Sequence, residues 1–150
     1  MSYEEKFMTF SLGKEEYGIP ISKVKEIIEI LDITPVPKTA EFVKGVINLR
    51  GKILPVIDLR QRFHMEAREY DKTTCILVVE TLQGSTQRFL GIIVDSVSEV
   101  ITLEDSQIGD APVYNEVKNK YISNVAKIKD RVIILLDIND IFTSEDVLTA

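Results

Sequence analysis

Five places in the sequence hold residue types that could do chemistry: His64, Cys75, the glycine-bounded run Gly45 to Lys52, the aspartates Asp58 and Asp137, and Arg50. His64 is the sole histidine, so a Ser-His-Asp or Cys-His relay would have to use it as the base, and no G-x-S-x-G elbow occurs. Its place after Phe63, ahead of a polar linker, suits an exposed side chain. Cys75 is the sole cysteine and opens the apolar run Cys75-Ile76-Leu77-Val78, where a small buried thiol is the usual occupant. A reactive thiol needs electropositive neighbours, which this run lacks. One cysteine also forbids an internal disulfide and fits a reducing compartment.

Gly45 to Lys52 resembles a phosphate loop only superficially. Five residues separate its glycines instead of four, and Ile53 stands where Ser or Thr would bind magnesium. No Cys/His cluster suits zinc and no D-x-D-x-D-G loop suits calcium, so neither a metal nor a cofactor is expected. Asp58 and Asp137 could be imagined as an acid pair, but each precedes a short polar run and reads better as a helix cap. Arg50 is left, beside a tight turn and flanked by Asn48 and Lys52. Arginine is enriched at protein interfaces, so the residue points to recognition and not to catalysis. No enzymatic activity is expected.

The elements that position Arg50 occur twice. Gly45 to Phe63, GVINLRGKILPVIDLRQRF, aligns without a gap on the stretch ending VAKIKDRVIILLDINDIF at Phe142, placing Val46 on Val125, Arg50 on Lys129, Lys52 on Arg131, Asp58 on Asp137 and Phe63 on Phe142. Tyr17 to Ile28 likewise lies on Leu90 to Ile101, matching Gly18 to Gly91, Val24 to Val97 and Glu26 to Glu99. Two such pairings in the same order indicate a tandem duplication. Each half is marginal as a separate domain, so the halves should share an apolar interface.

Alternation at Phe7 to Leu12 and the return at Glu16 to Ile19 predict an opening hairpin. One helical turn is expected at Ser22 to Val24, followed by a strand, because Ile27, Ile28 and Ile30 are β-branched. Pro35 and Pro37 make Thr34 to Thr39 a loop. Gly51-Lys52 is expected to link the Arg50 hairpin in a type II′ turn, and Asp58 to cap a helix at Leu59 to Phe63. Glu66 to Lys72 joins the halves; Thr74 to Glu80 and Arg88 to Asp95 pair around Gln83-Gly84-Ser85; Ile108 to Asn119 reads as a loop; Asp140 or Ser144 starts a closing helix. Many short strands with almost no long helix predict a mainly β fold of two small barrels. The expected boundary divides the chain into subdomains of about 1–65 and 66–150, with the C-terminal segment packing back on the first.

The 24 acidic residues outnumber 18 basic ones, for a net charge of −6, which argues against a nucleic-acid partner. Apolar runs such as Val132 to Leu136 are too short to insert in a bilayer, and the acidic opening MSYEEKF lacks the order of a signal peptide. A cytoplasmic protein-interaction module is the class these features favour.

The same residues resemble the CheW family of bacterial chemotaxis coupling proteins: N-L-R-G within Gly45 to Phe63, E-E-Y-G-I at Glu15 to Ile19, V-K-E-I at Val24 to Ile27, G-I-I-V-D-S-V-S-E-V at Gly91 to Val100 and R-V-I-I-L-L-D-I at Arg131 to Ile138. The related modules of the kinase CheA and of CheV come attached to kinase or receiver domains, and this sequence carries neither. The resemblance implies two five-stranded SH3-like barrels packed together. It also implies an adaptor joining the cytoplasmic tips of chemoreceptors to the regulatory domain of the histidine kinase CheA, recruited to membrane-associated arrays. Receptor contact in the family uses the groove between barrels, which transfers here to Glu26, Ile27, Asn48, Leu49 and Arg50. Kinase contact transfers to Val24, Gly45, Gly91 and Val97. The alternative is an acidic β-barrel interaction module in another signalling complex.

Overall fold

A computed structural model describes residues 4–110 except 84, 121–139, and 141–142; the side chain of Gln83 is also outside that set. In chain order the strands are β1 (Glu4–Leu12), β2 (Glu15–Pro20), β3 (Val24–Glu29), β4 (Val43–Leu49), β5 (Lys52–Asp58), β6 (Cys75–Gln83), β7 (Thr86–Val94), β8 (Ser96–Glu104), β9 (Ile108–Asp110), β10 (Ile122–Ile128) and β11 (Arg131–Leu136). A four-residue helix, α1 (Leu59–Arg62), follows β5, and 3-10 turns occupy Ile21–Lys23 and Asp105–Gln107.

The strands form two sheets, ordered β8-β1-β2-β11-β10-β9 and β3-β6-β7-β5-β4. Replacing each strand by its repeat partner turns one order into the other, with the single bridge Thr34 to Val46 standing where β9 pairs β10. Each sheet therefore takes a hairpin from one half of the chain and the later strands from the other half. The expected cut near residue 65 does not follow the sheets, since it passes through both. Only the 3-10 turn Ile21–Lys23 separates β2 from β3, and only Asp95 separates β7 from β8. These short links deliver the chain from one sheet directly into the other.

The repeat extends to hydrogen bonds. Register shifts fall between Val43 and Gly45 and between Ile122 and Asn124, 79 positions on. The amides of Asp58 and Asp137 both donate 2.8 Å bonds, to the carbonyls of Phe42 and Tyr121. Asp58 caps α1 by accepting from the amides of Arg60 and Gln61 at 2.9 and 3.3 Å, and Asp137 accepts from the Asn139 amide at 3.1 Å. Asp58 is a helix cap, as the spacing suggested, whereas Asp137 accepts from the Asn139 amide with no helix following it among the described residues.

Each sheet encloses a small core at equivalent positions: Ile47, Leu54 and Val56 in one, Ala126, Ile133 and Leu135 in the other. The largest cluster lies between the sheets and holds Phe10, Tyr17, Phe42, Ile57, Leu77, Ile92, Tyr121 and Leu136. Burying each aliphatic side chain there contributes about 1.5–3 kcal/mol. Since the cluster draws on both sheets, neither retains it alone. At its rim the Arg62 guanidinium lies 4.4 Å from the Phe42 ring centroid and 4.7 Å from that of Tyr121, its repeat counterpart.

Several local expectations change. The β4–β5 link is Arg50-Gly51, with φ of 51° and 87°, because Leu49 pairs with Lys52. Two positive φ values define a type I′ link instead of type II′. Ile108–Asp110 is a strand; 111–119 of the expected loop lie outside the described residues, as do Gly84 of the β6–β7 turn and the helix starts Asp140 and Ser144.

Candidate functional site

Glu26, on β3, and Arg50, in the β4–β5 turn, are brought together from opposite ends of one sheet order. The register of β3 against β6 shifts between Val24 and Glu26, so Val24 pairs with Val79 and Glu26 with Val78. Across the sheet, Asn48 Oδ1 accepts a 2.8 Å bond from the Gly51 amide and braces the turn that carries Arg50. A positive φ is uncommon for arginine, yet Lys129 adopts φ 52° at the equivalent place, so the hairpin imposes it. Arg50 then donates from Nη1 to Glu26 Oε1 at 2.9 Å and from Nη2 to Oε2 at 2.5 Å. This two-pronged geometry fixes the guanidinium plane. The Arg50 hydrogen bond holds the Glu26 carboxyl below its usual range, and the same bond raises Arg50.

The pair is exposed, with 70% of the Arg50 side chain accessible. Exposed ion pairs contribute little to folding, so the pair has no large structural role to explain it. It borders a groove of about 330 Å³ lined by Lys25, Glu26, Leu49, Arg50, Leu54 and Phe89 among others. These residues belong to β3, β4, β5, β7 and the Arg50 turn, so the groove lies along one sheet and not between the two. Lys25 is tied at its edge by a 2.8 Å contact with Glu80.

Of the other receptor-contact candidates, Leu49 packs partly on the small core beneath, Asn48 serves the turn, and Ile27 is 43% exposed. Successive strand residues alternate faces, so Ile27 projects away from Glu26. The kinase-contact candidates fall into two kinds. Val24 and Val97 are half-buried against the inter-sheet cluster. Gly45 and Gly91 are buried, and a β-carbon on Gly91 would come within 2.9 Å of Ile76 and 3.2 Å of Val56. Glycine at these two places is a packing requirement.

The catalytic candidates stay apart. His64 is exposed with φ 61° at the end of α1, its amide donating to Gln61. Cys75 is half-buried, its Sγ 3.2 Å from the Thr73 carbonyl oxygen. Among the described residues no group of three His, Cys, Asp or Glu side chains could hold a metal, and no helix is long and apolar enough to cross a membrane. Sequence reasoning missed Phe89 and Lys52, whose Nζ lies 5.7 Å from the Phe89 ring centroid. Comparing the two copies position by position could have found them, since glutamate stands in place of Phe89 in the other copy.

Residues 6–146 match the family model described as a CheW-like domain. The chain is 40% identical over 143 residues to the chemotaxis protein CheW of Klebsiella aerogenes, covering 95% of this chain and 84% of that protein. It is 33% identical over 138 residues to the CheW of Thermotoga maritima, covering 92% and 87%. The crystal structure of the scaffolding protein TtCheW from Thermoanaerobacter tengcongensis superposes with a TM-score of 0.86 at 36% identity, over 98% of both chains, in keeping with two SH3-like β units. By sequence over nearly its whole length and by fold, the chain belongs to the CheW family of non-enzymatic chemotaxis scaffolds.

Proposed function

We propose that this scaffold couples the cytoplasmic tips of chemoreceptors to the histidine kinase CheA, as a cytoplasmic protein recruited to membrane-associated receptor arrays. The observation that carries the reading is the exposed, two-pronged Glu26–Arg50 pair beside a groove. It is a rigid recognition feature with little to do for folding. Glu26, Leu49 and Arg50 form the receptor-contacting surface, with Asn48 holding the turn and Ile27 extending the surface to the other face of β3. Val24 and Val97 supply half-exposed apolar contact to the kinase regulatory domain. Gly45 and Gly91 act on that contact through the packing beneath it.

The test is a binding titration with a receptor-tip fragment and with the CheA regulatory domain, singly and together. Both should bind, and the two should bind at once. Exclusive binding, or no association with either partner, would sink the reading.

A further inference from the structure

The duplication lets one half of the molecule serve as a control for the other. On the first sheet Arg131 donates to Glu16 at 3.2 and 2.7 Å and reaches Glu99 at 3.0 Å, so its charge is neutralised within the molecule. Lys52 is the repeat counterpart of Arg131, Phe89 stands where Glu16 stands, and Arg88 stands where Glu15 stands. Glu26, the counterpart of Glu99, is already engaged by Arg50. Neither Lys52 nor Arg88 forms an ion pair with another described residue.

These two cations border a trough of about 570 Å³ between β5 and the β6–β7 hairpin, with Ile53, Pro55, Thr81 and Phe89 among its other lining residues and no carboxylate among the described lining residues. Ile53 is 61% exposed and Phe89 36%. On a chain of net charge −6, an apolar floor between two cations that have no ion-pair partner among the described residues is a local reversal of sign. Long-range repulsion from the rest of the molecule disfavours acidic partners elsewhere, while the trough offers both charge and apolar contact.

We propose that this trough is a docking site for an acidic, amphipathic polypeptide segment of a partner protein, whose carboxylates pair with Lys52 and Arg88 while its apolar side chains cover Ile53 and Phe89. The partner supplies to this sheet the carboxylate that Glu16 provides to Arg131 on the other. The site adjoins the Glu26–Arg50 groove through Lys52, Leu54 and Phe89 but does not depend on it.

The probe is a fluorescently labelled peptide alternating Glu and Leu, with its Lys-for-Glu counterpart as the control, titrated into the full chain. The acidic peptide should bind, move the amide resonances of Ile53 and Phe89, and weaken about tenfold or more for the folded double variant Lys52→Glu/Arg88→Glu. Arg50→Ala should leave this binding unchanged, which separates it from the receptor reading. Equal binding of the basic peptide, or of the double variant, would overturn the proposal. So would binding seen only after deletion of residues 143–150, which would give the trough to the chain's own segment. Loss of a dimer in the double variant by sedimentation would give it to a second copy and likewise overturn it.

Discussion

Gly45 lies so close to Thr34 that a β-carbon added to the glycine would fall within the contact radius of the Thr34 carbonyl oxygen. The Thr34 segment and β4 meet there through reciprocal 2.9 Å bonds between Thr34 and Val46, and Gly45 itself has φ 141°. Gly45→Ala should therefore destabilise the fold by about 3 kcal/mol, from strain and clash together. Gly91→Ala, which overpacks against Ile76 and Val56, should lose about 1–3 kcal/mol. Denaturant unfolding measures both. Kinase binding should fall in step with the folded fraction; a fully folded Gly91→Ala protein that no longer binds would make Gly91 a contact residue instead.

Arg50→Ala should abolish most receptor co-sedimentation while shifting Tm by no more than about 2 °C, because the pair is exposed. A charge swap, Glu26→Arg with Arg50→Glu, should rebuild the pair without restoring binding if the partner reads the guanidinium itself. Since Arg50 lowers the Glu26 carboxyl, its contribution is complete above the unfolded pKa and disappears as pH falls through the folded one. In Arg50→Ala the Glu26 titration, followed by NMR, should move upward; an unmoved titration would contradict the pair in solution.

Arg62 joins the sheets at the inter-sheet rim. It lies against Phe42 and Tyr121, donates to the Tyr121 hydroxyl, and donates from Nε to the Ile141 carbonyl at 2.8 Å. Arg62→Ala should lose about 2 kcal/mol of stability, and Arg62→Lys should retain part of it through the cation–ring contacts. Equal stability of all three proteins would remove Arg62 from this role.

The Tyr70 hydroxyl donates to Asp58 at 2.7 Å, and burial, followed by that bond, raises its pKa well above the ordinary value. Burial raises Tyr17 as well. A raised pKa means that the folded state keeps protons the unfolded state releases, so stability is complete below about pH 10 and declines above it. Tyr70→Phe should flatten that decline, and Tyr17→Phe/Tyr70→Phe should flatten it further. A wild-type stability curve level through the alkaline range would contradict both placements.

The sequence by itself determined the strand content, the duplication, the Asp58 cap and the proximity of Arg50 to a tight turn. Each is a local matter, set by alternation, turn residues or a repeat spacing that side chains reveal directly. Tertiary structure alone decided which strands pair. In a duplicated chain β3 is nearly as well suited to β1 as to its equivalent β6, so apolar pattern cannot choose between them. The Ile21–Lys23 turn and the single residue Asp95 settle the choice by carrying the chain across between sheets. The same exchange decides which charges meet. Glu16 neutralises Arg131 over a separation of 115 residues, whereas Lys52 faces Phe89. No reading of neighbouring residues contains that difference, because it arises only once β2 lies beside β11 and β7 beside β5.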